Sequence, residues 1–493
     1  MKKGKMQWHW IAGGGFFLLF AVLLAVRLDV FSRTGPILPW RTTPVVTTVR
    51  SDDHWMAIVQ AKRKIGYAHR TMTTTEKGYH LEESVLMRIN TMGVVQDMRM
   101  RTQSDLHADM TLSAFNFDLR SHLFHFVVRG VIKGKEATIH YGTPTAPRKM
   151  VLPLQETPHL SNSMFDSLRG KNLKTGDEVV IYVFDPASMG QRPVRLKVLG
   201  EEPVTVMGRE RMALKLDVDF MGARQFAWLG EEGDVLREQG LLGMTLERVT
   251  KEEALDGLTL MASADLTEVA SIPANVAIDD ANVLTKMTAL LANIDTKQLF
   301  LNGGRQHFKN NLLTIIKEPW PGPAADAKKE PSEEITKFLR PSPFIQSDDP
   351  LIVNQVKKII SPRDSDTLKA KKIVDWLYLH IEKRPVLSVP NATETLENRV
   401  GDCNEHAVLL AAMARAAGIP AQIEAGLVYQ RGRFYFHAWN VLYLGEWITA
   451  DATLGKIPAD VTHIRLVRGG ADRQVDLMGV IGKLELKILE TKQ

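Results

Sequence analysis

The chain of 493 residues contains one cysteine, Cys403, at the start of the stretch CNEHAVLLAAMARAAGIPAQ. A thiol attacks as its thiolate, and a free thiol is mostly protonated at neutral pH. Nucleophilic chemistry therefore asks for a base to take the proton and a partner to fix the tautomer of that base. Two downstream residues have the required types: His437 inside FYFHAWNVLY, and Asp451 at the end of EWITAD. An imidazole held between thiol and carboxylate would make an activated cysteine triad. Taken singly, each residue has a blander reading. A lone cysteine is commonly structural, and a histidine in an aromatic strand is commonly a satisfied core residue. Only the combination points to chemistry.

A metal is the rival use of the same residues. Cys403 and His406 form a C-x-x-H pair on one helical turn, and with His437 and Asp451 they could ligate zinc. Closed zinc sites usually bring more sulfur and clustered ligand pairs, so no metal is expected and no cofactor is implied. His406 is expected to hydrogen-bond locally, Asp402 to cap a helix, and Trp439 to pack in the core.

These side chains need elements to hold them. Asp402 suits an N-cap, and Val408, Leu409, Ala412 and Met413 form an apolar stripe. Gly418 supplies a left-handed stop with Pro420 just beyond, so a helix opens at Cys403. Its first turn presents unpaired N–H groups and the positive end of the macrodipole, which favour an anion. Three strand candidates follow, at Gln422 to Gln430, Arg433 to Tyr443 and Trp447 to Asp451. Their register is a test. A two-residue loop at Gly445 and Glu446 would turn His437 and Asp451 to opposite faces. The triad requires a bulge or an odd loop, such as Leu444-Gly445-Glu446, with Tyr443 opposite Trp447 and His437 diagonal to Asp451.

The two segments GDCNEHAVLLAAMARAAGIPAQ and GLVYQRGRFYFHAWNVLYLGEWITADAT resemble the catalytic core of the transglutaminase-like superfamily. The resemblance covers about the last third of the chain, including the helix around Trp376. It implies a papain-like α+β fold, with the cysteine helix packed on an antiparallel sheet or barrel. It also implies the roles: Cys403 as nucleophile, His437 as general base and acid, Asp451 as orienting carboxylate. Two positions depart from the pattern. Ala452 stands where proline is frequent, and Asn440 where an acidic residue is frequent.

The rest of the chain supplies context. Residues 45–270 alternate in strand fashion, as in FNFDLR, where Phe115, Phe117 and Leu119 share one face. Val194, Leu196 and Val198, and then Leu214, Leu216, Val218 and Phe220, repeat the pattern. Turn signals such as TGDE and DPASMGQRP separate the runs, which predicts an antiparallel β-rich domain of one or two sheets or a partly closed barrel. Residues 271–334 read as a connecting region ending in the Pro- and charge-rich linker EPWPGPAADAKKEPSEE. Residues 335–493 form the catalytic domain, with apolar residues such as Ile373, Leu377 and Ile381 at helical spacing.

Residues 1–32 read as an uncleaved signal anchor. Lys2, Lys3 and Lys5 precede an uncharged apolar run from Trp10 to Val26 that Arg27 closes, placing the body outside the cytoplasm, in the cell envelope. In an oxidising compartment a lone thiol is a liability, so its retention asks for a purpose. A formal charge of only +5, from 62 basic and 57 acidic residues, without a basic stripe, argues against nucleic acid as a partner. The expectation is a membrane-anchored cysteine enzyme acting on carboxamide or peptide bonds of a protein or peptide substrate, with an amine or water as acceptor. The alternative is an inactive scaffold of the same fold that binds its ligand on the β-rich domain.

Overall fold

The computed structural model describes residues 52–493, except 123, 144–145, 221, 257–260 and 321–331. The expected signal anchor and most of the expected linker lie outside the described residues. Among the described residues no helix is long and apolar enough to cross a membrane.

The alternating runs do form strands. One 15-stranded sheet spans Asp52 to Val249, antiparallel throughout except for the short His159–Leu160 strand at one end. Its first strand, Asp52–Gln60, sits mid-sheet, between Arg63–Thr75 and the last strand, Met244–Val249. Two meanders are thus joined through one long-range pairing. Phe115, Phe117 and Leu119 are buried on one face, as their spacing predicts. Val194, Leu196, Val198, Leu216 and Val218 share a second apolar cluster. The sheet curls, because Leu160 and Phe184 from one end enter the cluster of Leu112, Phe115 and Ile139 from the other. Each fully buried apolar side chain of this size contributes roughly 1.5–3 kcal/mol. Phe344 and Val389 enter the same cluster, and the Gln96 side chain donates to the Pro385 carbonyl at 3.0 Å. These contacts seat the C-terminal part against the sheet.

Residues 271–334 are not merely a connector. Ile272–Pro273 pairs with Arg433–Phe434, and Lys286–Ala292 lies between Leu312–Ile316 and the C-terminal Glu485–Lys492. The physical reason is a period-two pattern in short runs: Met287, Ala289 and Leu291, with Leu313 and Ile315, are all buried. They pack with Leu427, Phe434, Ile464 and Leu466 of a second sheet.

The same sheet carries the helices, which pack on Ile423, Ala425, Ala438 and Leu442. Pro350–Ile359 starts at an Asp349 cap, and Asp366–His380 starts at Ser365, whose hydroxyl accepts from the Leu368 N–H. With Ala392–Asn398 they surround the cysteine helix, Cys403–Ala416, which lies on Ala421–Gln430 and Arg433–Tyr443. That helix is buried on every side from Glu405 to Ala414, more completely than an apolar stripe alone predicts.

One glycine fixes how closely the strands of this second sheet approach. Gly426 stands opposite His437, and a Cβ there would lie 1.9 Å from the Ile464 carbonyl oxygen and 2.8 Å from the Leu466 nitrogen. Both neighbours are backbone, so neither can rotate away. Gly426→Ala is expected to cost about 3 kcal/mol or more through forced displacement of Ile464–Arg468. Thermal unfolding of the full chain checks this, and an unchanged midpoint would contradict the close approach.

Candidate active site

The cysteine helix opens as its sequence asks. The Asp402 carboxylate accepts from the Asn404 N–H at 2.9 Å, and Glu405 reaches back to the Asp402 N–H at 2.9 Å. This is a capping box, and it fixes the first turn that carries Cys403. Gly401 makes room for it, because a Cβ there would sit 2.3 Å from the Glu405 Cβ. His406 is buried, and its Nδ1 lies 2.7 Å from the Asp402 carbonyl, the local bond expected of it.

The histidine strand meets the next strand in the required register. Tyr443 faces Trp447 and Asn440 faces Ala450, which leaves Leu444-Gly445-Glu446 as the odd loop. Asp451 follows directly. Its backbone exchanges hydrogen bonds with Lys456 at 2.8 and 2.9 Å, and its Oδ1 accepts from the Leu454 N–H at 3.0 Å. Ala452, where proline is frequent, is buried within this tight loop. The carboxylate and the imidazole come together: His437 Nε2 lies 2.7 Å from Asp451 Oδ2. An ionised carboxylate only accepts, so the proton sits on Nε2 and Nδ1 is left with the free lone pair.

Cys403 is brought to the same strand. The Ala438 N–H, one residue past His437, stands close enough to the sulfur to favour its thiolate. Strand partners on that edge end at Phe434 on one side and begin at Asn440 on the other, so Tyr435 to Trp439 is left open there. Among the described residues no hydrogen bond joins the thiol to the His437 ring. Such contacts are commonly loose before substrate binds.

Asn440 ties the two elements together. It is fully buried, and its Nδ2 donates to the Ala407 carbonyl of the cysteine helix at 2.9 Å. An ionised acid at this position could not donate, so the departure from the pattern has a structural use. Trp439 is core, with its Nε1 donating to Glu424 at 2.9 Å; Glu424 also pairs with Arg465 and Arg468.

Electrostatics sort the groups. Burial pushes the Cys403 thiol well above the ordinary range, and the charges of Asp402, Glu405 and Asp451 act in the same direction. The Ala438 N–H opposes them. Burial and the neighbouring Asp402 also raise Glu405 well above a usual carboxyl. Asp451 is fully buried, yet its pKa is well below the usual carboxylate range. Burial alone would raise it, but His437 and His463 outweigh that.

His463 was not identifiable in advance. Fully buried, it places Nε2 3.0 Å from Asp451 Oδ2 and Nδ1 3.2 Å from Asp460 Oδ1. The signal available was a histidine three residues after an aspartate inside an apolar run. His437, Asp451 and His463 also form a group compact enough to suggest a cation site. The two imidazole contacts, at 2.7 and 3.0 Å to a single oxygen, are hydrogen-bond lengths. Ligands held at roughly 2.0–2.2 Å around tetrahedral zinc stand farther from one another. A cleft of about 700 Å³ opens where Arg384 and Pro385 face Arg88, Arg99 and Arg120, but its lining includes none of Cys403, His437 and Asp451.

Comparison with known proteins places one part of the chain. The sequence profile of the transglutaminase-like superfamily matches residues 354–452, so a transglutaminase-like domain lies in the C-terminal part. No curated protein matches. A provisionally named cysteine protease from Cytophaga hutchinsonii is similar at 19% identity, over 43% of this chain and 84% of its own, with a TM-score of 0.26. A beta-barrel-like protein, of a domain of unknown function, from Brucella abortus is similar at 14% identity, over 41% of this chain and 98% of its own, with a TM-score of 0.33. At those scores neither likeness bears on mechanism.

Proposed function

We propose that the protein is a cysteine acyltransferase or hydrolase acting on carboxamide or peptide bonds, with Cys403 as nucleophile, His437 as general base and acid, and Asp451 as orienting carboxylate. One observation carries the reading. The 2.7 Å contact between His437 Nε2 and Asp451 leaves Nδ1 as the free base, one residue from the Ala438 N–H that favours the thiolate.

The chemistry then balances. His437 Nδ1 takes the thiol proton as sulfur attacks the carbonyl carbon. The C–N bond breaks, and His437 returns the proton to the departing ammonia or amine, leaving a thioester on Cys403. An incoming amine or water attacks the thioester carbon and gives its proton to His437; the C–S bond breaks, the acylated amine or acid leaves, and His437 passes the proton back to sulfur. The Cys403 N–H, at the first position of its helix, is a suitable donor to the developing oxyanion. The substrate is a protein or peptide, met in the cell envelope, with the run from Trp10 to Val26 as membrane anchor.

The raised thiol and the missing thiol–imidazole bond favour a second reading, an inactive scaffold of this fold with its ligand on the β-rich domain. One experiment separates the two. The full chain is incubated with a peptide library and a labelled amine, and the peptides are weighed by mass spectrometry. Peptides that gain the amine or are cut support the enzyme. A library left intact under all conditions supports the scaffold.

A further inference from the structure

Asp451 has a second partner that the triad does not use. Its Oδ2 accepts from His437 at 2.7 Å and from His463 at 3.0 Å, while Oδ1 accepts from the Leu454 N–H. Three donors pin both oxygens of a fully buried carboxylate. His463 is in turn held from its other side. Its Nδ1 faces Asp460 Oδ1 at 3.2 Å, and Asp460 is fixed by Thr462 and by Lys456 at 2.6 Å. Arg305 holds the backbone of this segment through the carbonyls of Ala459, Asp460 and His463. The Trp439 ring meets the His463 ring edge-on at 5.2 Å, which closes the remaining side.

The protonation state follows from this geometry. A neutral imidazole has one N–H and one lone pair. With a carboxylate oxygen at each ring nitrogen, the neutral form would direct a lone pair at an anion inside the core. The imidazolium satisfies both contacts. The charges facing His463 are Asp451 and Asp460, with His437, Lys456 and Arg305 around them. Those two carboxylates raise its pKa, although burial opposes them.

We propose that His463 is a positioning residue for the proposed cysteine chemistry: clamped between Asp451 and Asp460 as a buried imidazolium, it fixes the carboxylate that holds His437 with Nδ1 free for the thiol. It touches neither substrate nor reacting atoms. Its effect passes through Asp451, so this inference rests on the reading of the triad given above. Without His463, Oδ2 loses a donor and the carboxylate gains freedom to rotate. His437 then loses its single tautomer.

The test is alkylation of Cys403 by iodoacetamide across pH, on the full chain, in the wild type, His463→Phe, His463→Gln and His437→Ala. His463→Phe should lower the rate near neutral pH by on the order of 10-fold to 100-fold, the scale on which outer hydrogen-bond partners act. That is short of the roughly 10⁴-fold cost of losing the correct tautomer in a serine triad. Glutamine keeps a donor toward Asp451 and should restore most of the rate. A purely structural histidine would behave differently. Its folded-state value lies above the unfolded one, so it contributes stability below about pH 6.5 that is lost as pH rises through the raised value. Loss of that stability alone, with rate and pH profile matching the wild type, overturns the positioning role. Should the phenylalanine variant fail to fold, the glutamine variant decides, because an uncharged amide cannot reproduce both imidazolium contacts: a rate modestly below wild type and above His437→Ala, with a shifted pH profile, supports the role, and a rate and pH profile matching the wild type overturn it. A wild-type profile that His437→Ala leaves unchanged overturns the triad itself and this inference with it.

Discussion

Cys403→Ala should leave the peptide library untouched and carry no acyl adduct, with the rate falling by roughly 10⁴–10⁶-fold, the range over which removal of a triad nucleophile is felt. The fold should survive. Cys403 is only half-buried, and the capping box that shapes its turn belongs to Asp402 and Glu405. A normal unfolding midpoint together with lost labelling is therefore the expected pair of results. Labelling that persists in Cys403→Ala would move the chemistry to another residue.

The environment of the thiol makes the same prediction more specific. Burial and the carboxylates around it hold the sulfur in its protonated form. A resting thiolate is consequently not what this site stores. The proton has to leave during the attack, toward an imidazole that becomes positive as sulfur becomes negative. Removing the ring in His437→Ala leaves the raised thiol without relief, and its alkylation should need a pH above the roughly 8.5 of an ordinary cysteine. In the scaffold reading the wild type already behaves that way. The comparison of these two profiles thus separates a base from a bystander.

Much of this site could be read from the residues, because the signals were local. Asp402 at the cap and Gly418 at the stop bound the cysteine helix, and Gly418 does adopt a left-handed φ of 85°. Period two and loop parity alone set the hairpin register, and Tyr443 does pair with Trp447. What could not be read depends on contacts distant along the chain. The pairing of Asp52–Gln60 with Met244–Val249 joins the two meanders, and no local pattern specifies it. Residues 271–334 looked like a connector because Met287, Ala289 and Leu291 form too short an alternation to stand out. Their partners, Glu485–Lys492, lie at the other end of the domain. His463 was hidden for a related reason. A buried histidine is explained only by the charges around it, and Asp451 reaches it through folding rather than proximity in sequence.

Asp451 is where catalysis and stability should fail together. Asp451→Asn keeps the shape but replaces an acceptor with an amide that must donate from one side. An amide nitrogen in the Oδ2 place would face two imidazole N–H groups, and in the Oδ1 place the Leu454 N–H, so a ring has to turn or lose its proton or a backbone bond is lost. The wrong tautomer of His437 alone is worth about 10⁴-fold in rate. Asp451→Ala goes further, leaving the His463 imidazolium buried with Asp460 as its one carboxylate. Breaking a buried pair by removing one partner costs about 3–5 kcal/mol. The pH dependence has a definite sign. The carboxyl is held well below its unfolded value, so its stabilisation is complete above about pH 4 and is lost as pH falls toward the folded value. Wild-type unfolding temperature should therefore drop on acidification below pH 4, and both variants should start lower at neutral pH and show a shallower acid decline. Parallel curves for wild type and variants would mean that the Asp451 charge is not coupled to folding. The two histidines would then be held by packing rather than by the carboxylate between them.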